Sequence, residues 1–175
     1  WIGLVGSEMC IRDRNKSLKV SKKEILDDFL LMNVSRNISY IGRKEVFMGR
    51  AKFGVFGDGK ELPQIAMSKF FRNGDFRSGY YRDQTFMMSI NQLTPDQFFA
   101  QLYAHTDIKK DPHSGGRQMN CHFGTRLLNE NGDWKTQTDM MNSVSDISCV
   151  SGQMPRIVGL AYASKLYRNL SLIHI

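Results

Sequence analysis

The chain has 175 residues, a formal net charge of +7 and a hydrophobic fraction of 41%, which fits one globular domain or part of one. No run approaches the roughly 18 apolar residues that a membrane span needs, and three cysteines do not make a disulfide framework, so we expect a cytoplasmic protein. The charge allows nucleic-acid binding, but the basic residues are dispersed and no aromatic residues interleave with the densest stretch, residues 12–23. A solvated surface and an anionic small ligand explain the charge equally well.

The two ends of the chain are related through their coding DNA. Residues 8–14 can be encoded by GAG ATG TGT ATA AGA GAC AGR, and the reverse complement of the core of that stretch encodes residues 170–175. The shared element resembles a transposon-end adapter of sequencing libraries. We therefore expect residues 1–14 and 170–175 to be adapter-derived, and residues 15–169 to be the N-terminal part of a longer domain.

The sequence between these ends predicts α-helices joined by short extended segments. Ser21 and Glu24 form a capping-box pattern, and apolar residues at helical spacing continue the helix to about Arg50. Further helices are predicted over residues 61–71, 84–91, 94–105 and 153–168, extended segments over 52–56 and 76–81, and turns over 57–59 and 73–75. Residues 106–142 are polar and aperiodic, and a loop of this length is usually functional or disordered.

Several motif-like stretches lack what the corresponding sites require. Residues 54–60 nearly match a phosphate-binding P-loop, but the required Ser or Thr is replaced by Glu61. The cysteine and histidines of the second half do not show zinc-site spacing. We expect Cys121 to be a buried, inert thiol and not a nucleophile.

Three segments occur in a characteristic order. The first runs from residue 59 to residue 84 and includes the stretch Tyr-Tyr-Arg-Asp-Gln; the second, residues 116–124, reads Gly-Arg-Gln-Met-Asn-Cys-His-Phe-Gly. The third, residues 152–163, begins Gly-Gln-Met-Pro-Arg. In order and spacing they resemble the α subunits of thiamine-diphosphate-dependent 2-oxo acid dehydrogenases across residues 20–168, nearest to the branched-chain type. Asn120 departs from the proline usual in the branched-chain loop, so the substrate remains open.

The resemblance implies an α/β fold, namely a truncated pyrophosphate-binding module of the thiamine-diphosphate fold. The implied activity is oxidative decarboxylation of a 2-oxo acid, branched-chain or pyruvate, with acyl transfer to a lipoyl group. The implied cofactors are thiamine diphosphate and Mg²⁺. The protein ligands of Mg²⁺ are expected beyond this part of the sequence. Gly57-Asp58-Gly59 resembles the Gly-Asp-Gly that opens the family's metal-binding motif, but it lacks a buried strand before it and a suitably spaced Asn after it. The implied partners are a β subunit or fused β half and a lipoyl-bearing acyltransferase core, in a bacterial enzyme.

The resemblance assigns cofactor diphosphate contacts to Tyr81 and Arg82. A planar guanidinium suits a diphosphate, and a tyrosine hydroxyl adds a donor beside it. The alternative for Arg82 is a surface ion pair with Asp83 or Asp75.

The resemblance also assigns roles to three residues of the second half. Ser148 and Val150 match positions whose backbone meets the thiamine ring, although Ser148 has the alternative of an ordinary loop serine. His122 matches a histidine on an active-site loop, where it would donate to developing negative charge. A purely structural hydrogen-bonding role is the alternative for His122.

A different class of function also remains open. The net charge is compatible with a non-enzymatic basic module that binds nucleic acid, whose affinity would fall steeply with salt. The resemblance favours the enzyme, with neither nucleic acid nor membrane as a partner. On that interpretation the chain by itself is expected to be inactive.

Overall fold

The computed structural model describes residues 20–166, so the expected adapter-derived ends and Tyr167 lie outside the described residues. The architecture combines helices with one small parallel sheet and is compatible with the α/β class. Within the described residues, no helix is both long and apolar enough to cross a membrane. The elements are α1 (Lys22–Phe47), α2 (Glu61–Ser68), β1 (Phe76–Arg77), α3 (Gln84–Ser89), α4 (Pro95–Leu102), a 3-10 turn (Gln137–Asp139), β2 (Asn142–Ser143) and α5 (Gln153–Leu166).

The predicted start of α1 is confirmed. The Ser21 hydroxyl accepts a hydrogen bond from the Glu24 backbone N–H at 3.1 Å, satisfying one of the free donors at the helix N-terminus. The Glu24 carboxylate forms an ion pair with Lys69, which follows α2. This contact fastens the first turn of α1 to the neighbouring helix.

Three helices end two or three residues earlier than the sequence pattern predicts, for one common reason. After α1, the Arg50 N–H donates to the Glu45 carbonyl and Gly49 has a φ of +72°. This is the Schellman arrangement, in which a left-handed residue closes the helix. The same arrangement follows α3 at Asn91 and α4 at Ala104, with φ values of 57° and 54°.

Small polar residues set the buried face of α1. The Ser35 hydroxyl lies 2.7 Å from that of Thr85, and the Gln84 amide donates to the Ser39 hydroxyl at 2.8 Å. Because these side chains are short and mutually satisfied, α3 approaches α1 closely. The apolar residues near the start of α1, such as Phe29, are exposed.

The core lies between α1, α3, α4 and the loop around residue 121. Thr94 and Gln97 form a complete capping box at the start of α4, where the sequence predicted a helix beginning at residue 94. Phe98 and Met87 are fully buried in this core. The core therefore joins the N-terminal helices directly to the long polar segment.

The sheet is much smaller than predicted. β1 pairs in parallel with β2, with Phe76 opposite Asn142 and Arg77 opposite Ser143. The strand predicted over residues 76–81 was too long, because the Tyr80 N–H donates to the Asp83 carboxylate at 2.9 Å and turns the chain. The extended segment 52–56 forms no strand either. Its Val55 backbone pairs with the Asn120 side chain instead.

The last helix, α5, has no buried residue. On this helix, Ile157 and Leu160 are half-buried and Ala161 is exposed. Four apolar residues at intervals of four positions are each at least 60% exposed: Met154, Val158, Tyr162 and Leu166.

Candidate functional site

The backbone around Arg82 is fixed by two close contacts. The Gln64 amide donates to the Arg82 carbonyl at 2.8 Å. That same carbonyl lies against Gly57, where a Cβ atom would come within 2.4 Å of it. Gly57 is therefore required by the close approach of two backbone segments, which explains the Gly57–Gly59 turn without a phosphate-binding role.

The rejection of a P-loop is supported by the same turn. The Gly59 N–H donates to the Glu61 carboxylate at 3.0 Å, and Glu61 forms a two-point ion pair with Arg36. The hydrogen bond from Arg36 is the main cause that lowers the pKa of Glu61. A charged carboxylate thus occupies the position where a P-loop would receive phosphate.

The Arg82 side chain is exposed and lies 5.6 Å from the centroid of the Tyr81 ring. The alternative ion pairs are not formed in the described part of the chain: Asp83 pairs with Arg77, and Asp75 accepts from the Arg72 N–H. The guanidinium is therefore presented at the surface without a carboxylate competing for it.

The Tyr81 side chain is flanked by Tyr80 and Arg82. Its ring lies 3.9 Å from that of Tyr80, centroid to centroid. The hydrogen bond from Tyr80, and then the one from Arg82, lower the pKa of Tyr81. The Tyr81 ring and the exposed Arg82 guanidinium therefore lie side by side, and we call them the anion-facing pair after the role that the sequence predicts for them.

His122 and Ser148, which are 26 positions apart in the chain, are brought together. The His122 Nε2 atom lies 2.8 Å from the Ser148 Oγ, and its Nδ1 atom lies 3.2 Å from the Asn120 carbonyl. Because a carbonyl can only accept, Nδ1 carries a hydrogen, and in the neutral imidazole the Ser148 hydroxyl then donates to Nε2. His122 is buried, whereas Ser148 is exposed. In this arrangement both ring nitrogens have partners within the chain.

The loop that bears His122 is attached to the backbone of Val55 through the Asn120 side chain. The Asn120 amide group accepts from the Val55 N–H at 3.0 Å and donates to the Val55 carbonyl at 2.6 Å. Cys121 is fully buried with a φ of +61°. Burial raises the pKa of the Cys121 thiol, which favours the expected inert role over a nucleophilic one.

His113 and Asp111 support the other end of this loop. The His113 ring lies 2.9 Å from the Gln92 carbonyl and 3.2 Å from the Gly124 carbonyl. The buried Asp111 carboxylate accepts from the N–H groups of His113, Ser114 and Gly116. Burial alone would raise the pKa of Asp111, but these N–H groups and the Ser114 hydroxyl lower it. The long polar segment is thus ordered around a buried carboxylate.

Two residues that the sequence analysis missed connect these groups. The buried Arg77 forms ion pairs with Asp83 at 2.9 Å and with Asp146 at 3.0 Å. The Asp146 carboxylate also accepts from the Phe123 N–H at 3.0 Å. A charged residue inside an aromatic strand sequence was the one signal that Arg77 had a structural partner.

The five predicted site residues therefore fall into two groups and one outlier. Tyr81 and Arg82 contact each other, and so do His122 and Ser148. Val150 is 76% exposed, and no described contact joins it to the other four. Its predicted role concerns the backbone, which lies in the turn preceding α5.

A cavity of about 610 Å³ lies beside Arg77. Its walls include Phe71, Phe76, Arg77, Asp83, Phe86 and Ile157, and none of the five predicted site residues. Within residues 20–166, no group of three or more His, Cys, Asp or Glu side chains is placed to hold a metal ion.

Comparison with known proteins finds a distant similarity to an enzyme subunit. No protein-family model matches the chain. The chain is similar to the 2-oxoisovalerate dehydrogenase subunit alpha of Bacillus subtilis (strain 168), with 26% identity over 158 residues. The match covers 90% of this chain and 43% of the relative, so the chain spans less than half the length of the protein it matches. Identity at this level supports a distant relationship.

Proposed function

We propose that the chain is part of the α component of a thiamine-diphosphate-dependent 2-oxo acid dehydrogenase. The observation that carries this proposal is the convergence of the resembling segments. Arg77 of the first segment contacts Phe123 of the second, and the neighbouring Ser78 hydroxyl donates to the Gln153 carbonyl of the third at 3.2 Å. The distant similarity to a 2-oxoisovalerate dehydrogenase subunit supports the same conclusion.

The described residues fit a diphosphate. Arg82 offers an exposed fork of N–H donors over Tyr81, with its backbone anchored by Gln64. The Tyr81 hydroxyl adds a donor whose pKa is lowered. Ser148 and Val150 are exposed, which is compatible with the backbone contacts to the thiamine ring that the resemblance predicts. When bound, thiamine diphosphate would supply the electron sink for decarboxylation of the 2-oxo acid.

The role of the chain's own residues is to bind, orient and polarise. Arg82 and Tyr81 bind anionic oxygens. His122, held in one tautomer by the Asn120 carbonyl, keeps Nε2 directed at the Ser148 hydroxyl. For His122 to donate to developing negative charge, Nε2 must gain a proton or the ring must exchange partners, so its predicted catalytic role depends on Ser148. The Mg²⁺ ligands, the β partner and the lipoyl-bearing acyltransferase belong to the same proposal.

Cofactor binding tests the proposal directly. The full-length protein with its β partner is titrated with thiamine diphosphate in the presence of Mg²⁺ by calorimetry, and decarboxylation of 2-oxo acids is followed. We expect saturable binding that depends on both components. Absence of binding and turnover would contradict the proposal.

The same series of experiments tests the alternative function, a non-enzymatic basic module that binds nucleic acid. Binding of single-stranded and duplex nucleic acid is measured at two salt concentrations about fourfold apart. Binding that weakens steeply with salt, together with no binding of thiamine diphosphate, would favour the alternative.

A further inference from the structure

We propose that Arg77 is a positioning residue that holds the anion-facing pair and the His122–Ser148 pair in one arrangement. It touches neither the proposed cofactor nor the substrate. This inference deepens the proposed function, because the roles given to the two pairs rest on that function. The contacts that Arg77 makes do not depend on it.

Arg77 reaches three separate parts of the chain with one guanidinium. Its Nη1 atom donates to the Ser143 hydroxyl of β2 at 2.6 Å. Its Nη2 atom donates to the Asp83 carboxylate at 2.9 Å and to the Tyr80 carbonyl at 3.2 Å. These last two contacts clamp both ends of the turn that contains Tyr81 and Arg82.

The same guanidinium also contacts a sequence neighbour of each residue in the His122–Ser148 pair. Asp146, two positions before Ser148, accepts from Nη2 at 3.0 Å. Phe123, directly after His122, places its ring 5.6 Å from the guanidinium carbon. Asp146 and Phe123 are joined to each other in both directions, since the Phe123 N–H donates to Asp146 at 3.0 Å and the Asp146 N–H donates to the Phe123 carbonyl at 2.8 Å.

This geometry requires an arginine at position 77 and a glycine at position 79. A Cβ atom at Gly79 would come within 1.9 Å of the Arg77 guanidinium, so any side chain there would displace the buried charge from its partners. A lysine at position 77 keeps the charge but cannot serve the three directions that the planar fork serves. Displacement would also leave the buried Asp146 without its cation, which is costly.

Hydrogen exchange measured by mass spectrometry tests the positioning role without any cofactor. In the full-length protein, Arg77→Lys is expected to speed exchange about tenfold or more in residues 79–83, 122–124 and 143–148 together, while α4 stays protected. The matched control is Arg72→Lys, because Arg72 is exposed five positions earlier in the chain and its side chain is outside the cluster. Unchanged exchange in the three segments, or an even rise that includes α4, would overturn the proposal.

A second variant covers the case in which Arg77→Lys does not fold. Gly79→Ala retains every polar group and acts through the displaced guanidinium, so the same three segments are expected to loosen. Loosening of residues 79–83 alone would refute the coupling between the segments.

Cofactor affinity supplies an independent readout. Arg77→Lys should weaken thiamine diphosphate binding about 10-fold to 100-fold, as loss of one charge-assisted hydrogen bond does, although Arg77 is not itself a ligand. Wild-type affinity in this variant would overturn the positioning role. Failure of the wild-type protein to bind thiamine diphosphate would instead overturn the proposed function, and the exchange pattern would still decide the role of Arg77.

Discussion

Replacement of Arg82 separates binding from stability, because its side chain is exposed while its backbone is anchored. Loss of a hydrogen bond to a charged group costs about 1.5–3 kcal/mol, so Arg82→Ala should weaken thiamine diphosphate binding by about one to two orders of magnitude. The free energy of unfolding should change by less than about 0.5 kcal/mol, since Arg82 forms no ion pair within residues 20–166. Arg82→Lys should recover only part of the affinity, because the planar fork is lost.

The assay is calorimetric titration of each full-length variant with thiamine diphosphate and Mg²⁺, beside urea unfolding. Arg72→Ala is the matched control, because the Arg72 side chain is exposed and is not one of the predicted site residues. Unchanged affinity in Arg82→Ala, alongside normal binding by the wild-type protein, would refute the diphosphate assignment. Arg82 would then be an ordinary surface residue.

Three further predictions follow from the same contacts. Ser148→Ala should lower kcat about 2-fold to 10-fold through loss of one neutral hydrogen bond to His122, while the affinity for thiamine diphosphate changes little; a large loss of affinity with unchanged kcat would contradict it. The enzyme should prefer 2-oxoisovalerate to pyruvate and 2-oxoglutarate by about 10-fold to 200-fold in kcat/KM, and a clear preference for either of the latter two would show the substrate assignment to be wrong. Burial lowers the pKa of His113 from its usual 6.5, against the opposing effects of Asp111 and the facing carbonyls and with a small contribution from Arg77. The stability that neutral His113 contributes is therefore complete above pH 6.5 and lost as the pH falls through the lowered value. Urea unfolding between about pH 7.5 and about pH 5 should show this loss, and His113→Gln should remove it.

The local features were predictable because each depends on neighbouring residues. The Ser21 cap and the Thr94 capping box follow from side chains that bond to the backbone three positions away. Helix positions followed from periodicity. Helix ends did not, because the left-handed residues that close α3 and α4 are Asn91 and Ala104 and not glycine.

The strand prediction was wrong for a different reason. Aromatic content predicted a strand over residues 76–81, but the carboxylate of Asp83 turns the chain after Arg77. Whether an extended segment pairs depends on which partner it meets. Val55 meets the Asn120 side chain, 65 positions away, and so remains unpaired with any strand.

The sequence by itself determined which residue types are available to bind an anion and where they occur along the chain, since Tyr81, Arg82, His122 and Ser148 were all named from it. Only the tertiary structure decided that the Ser148 hydroxyl contacts His122, and that Arg77 and Asp146 link this pair to Tyr81 and Arg82. The physical reason is that a buried ion pair forms wherever folding brings opposite charges together out of water. Arg77 and Asp146 are 69 positions apart, and no local pattern encodes their meeting.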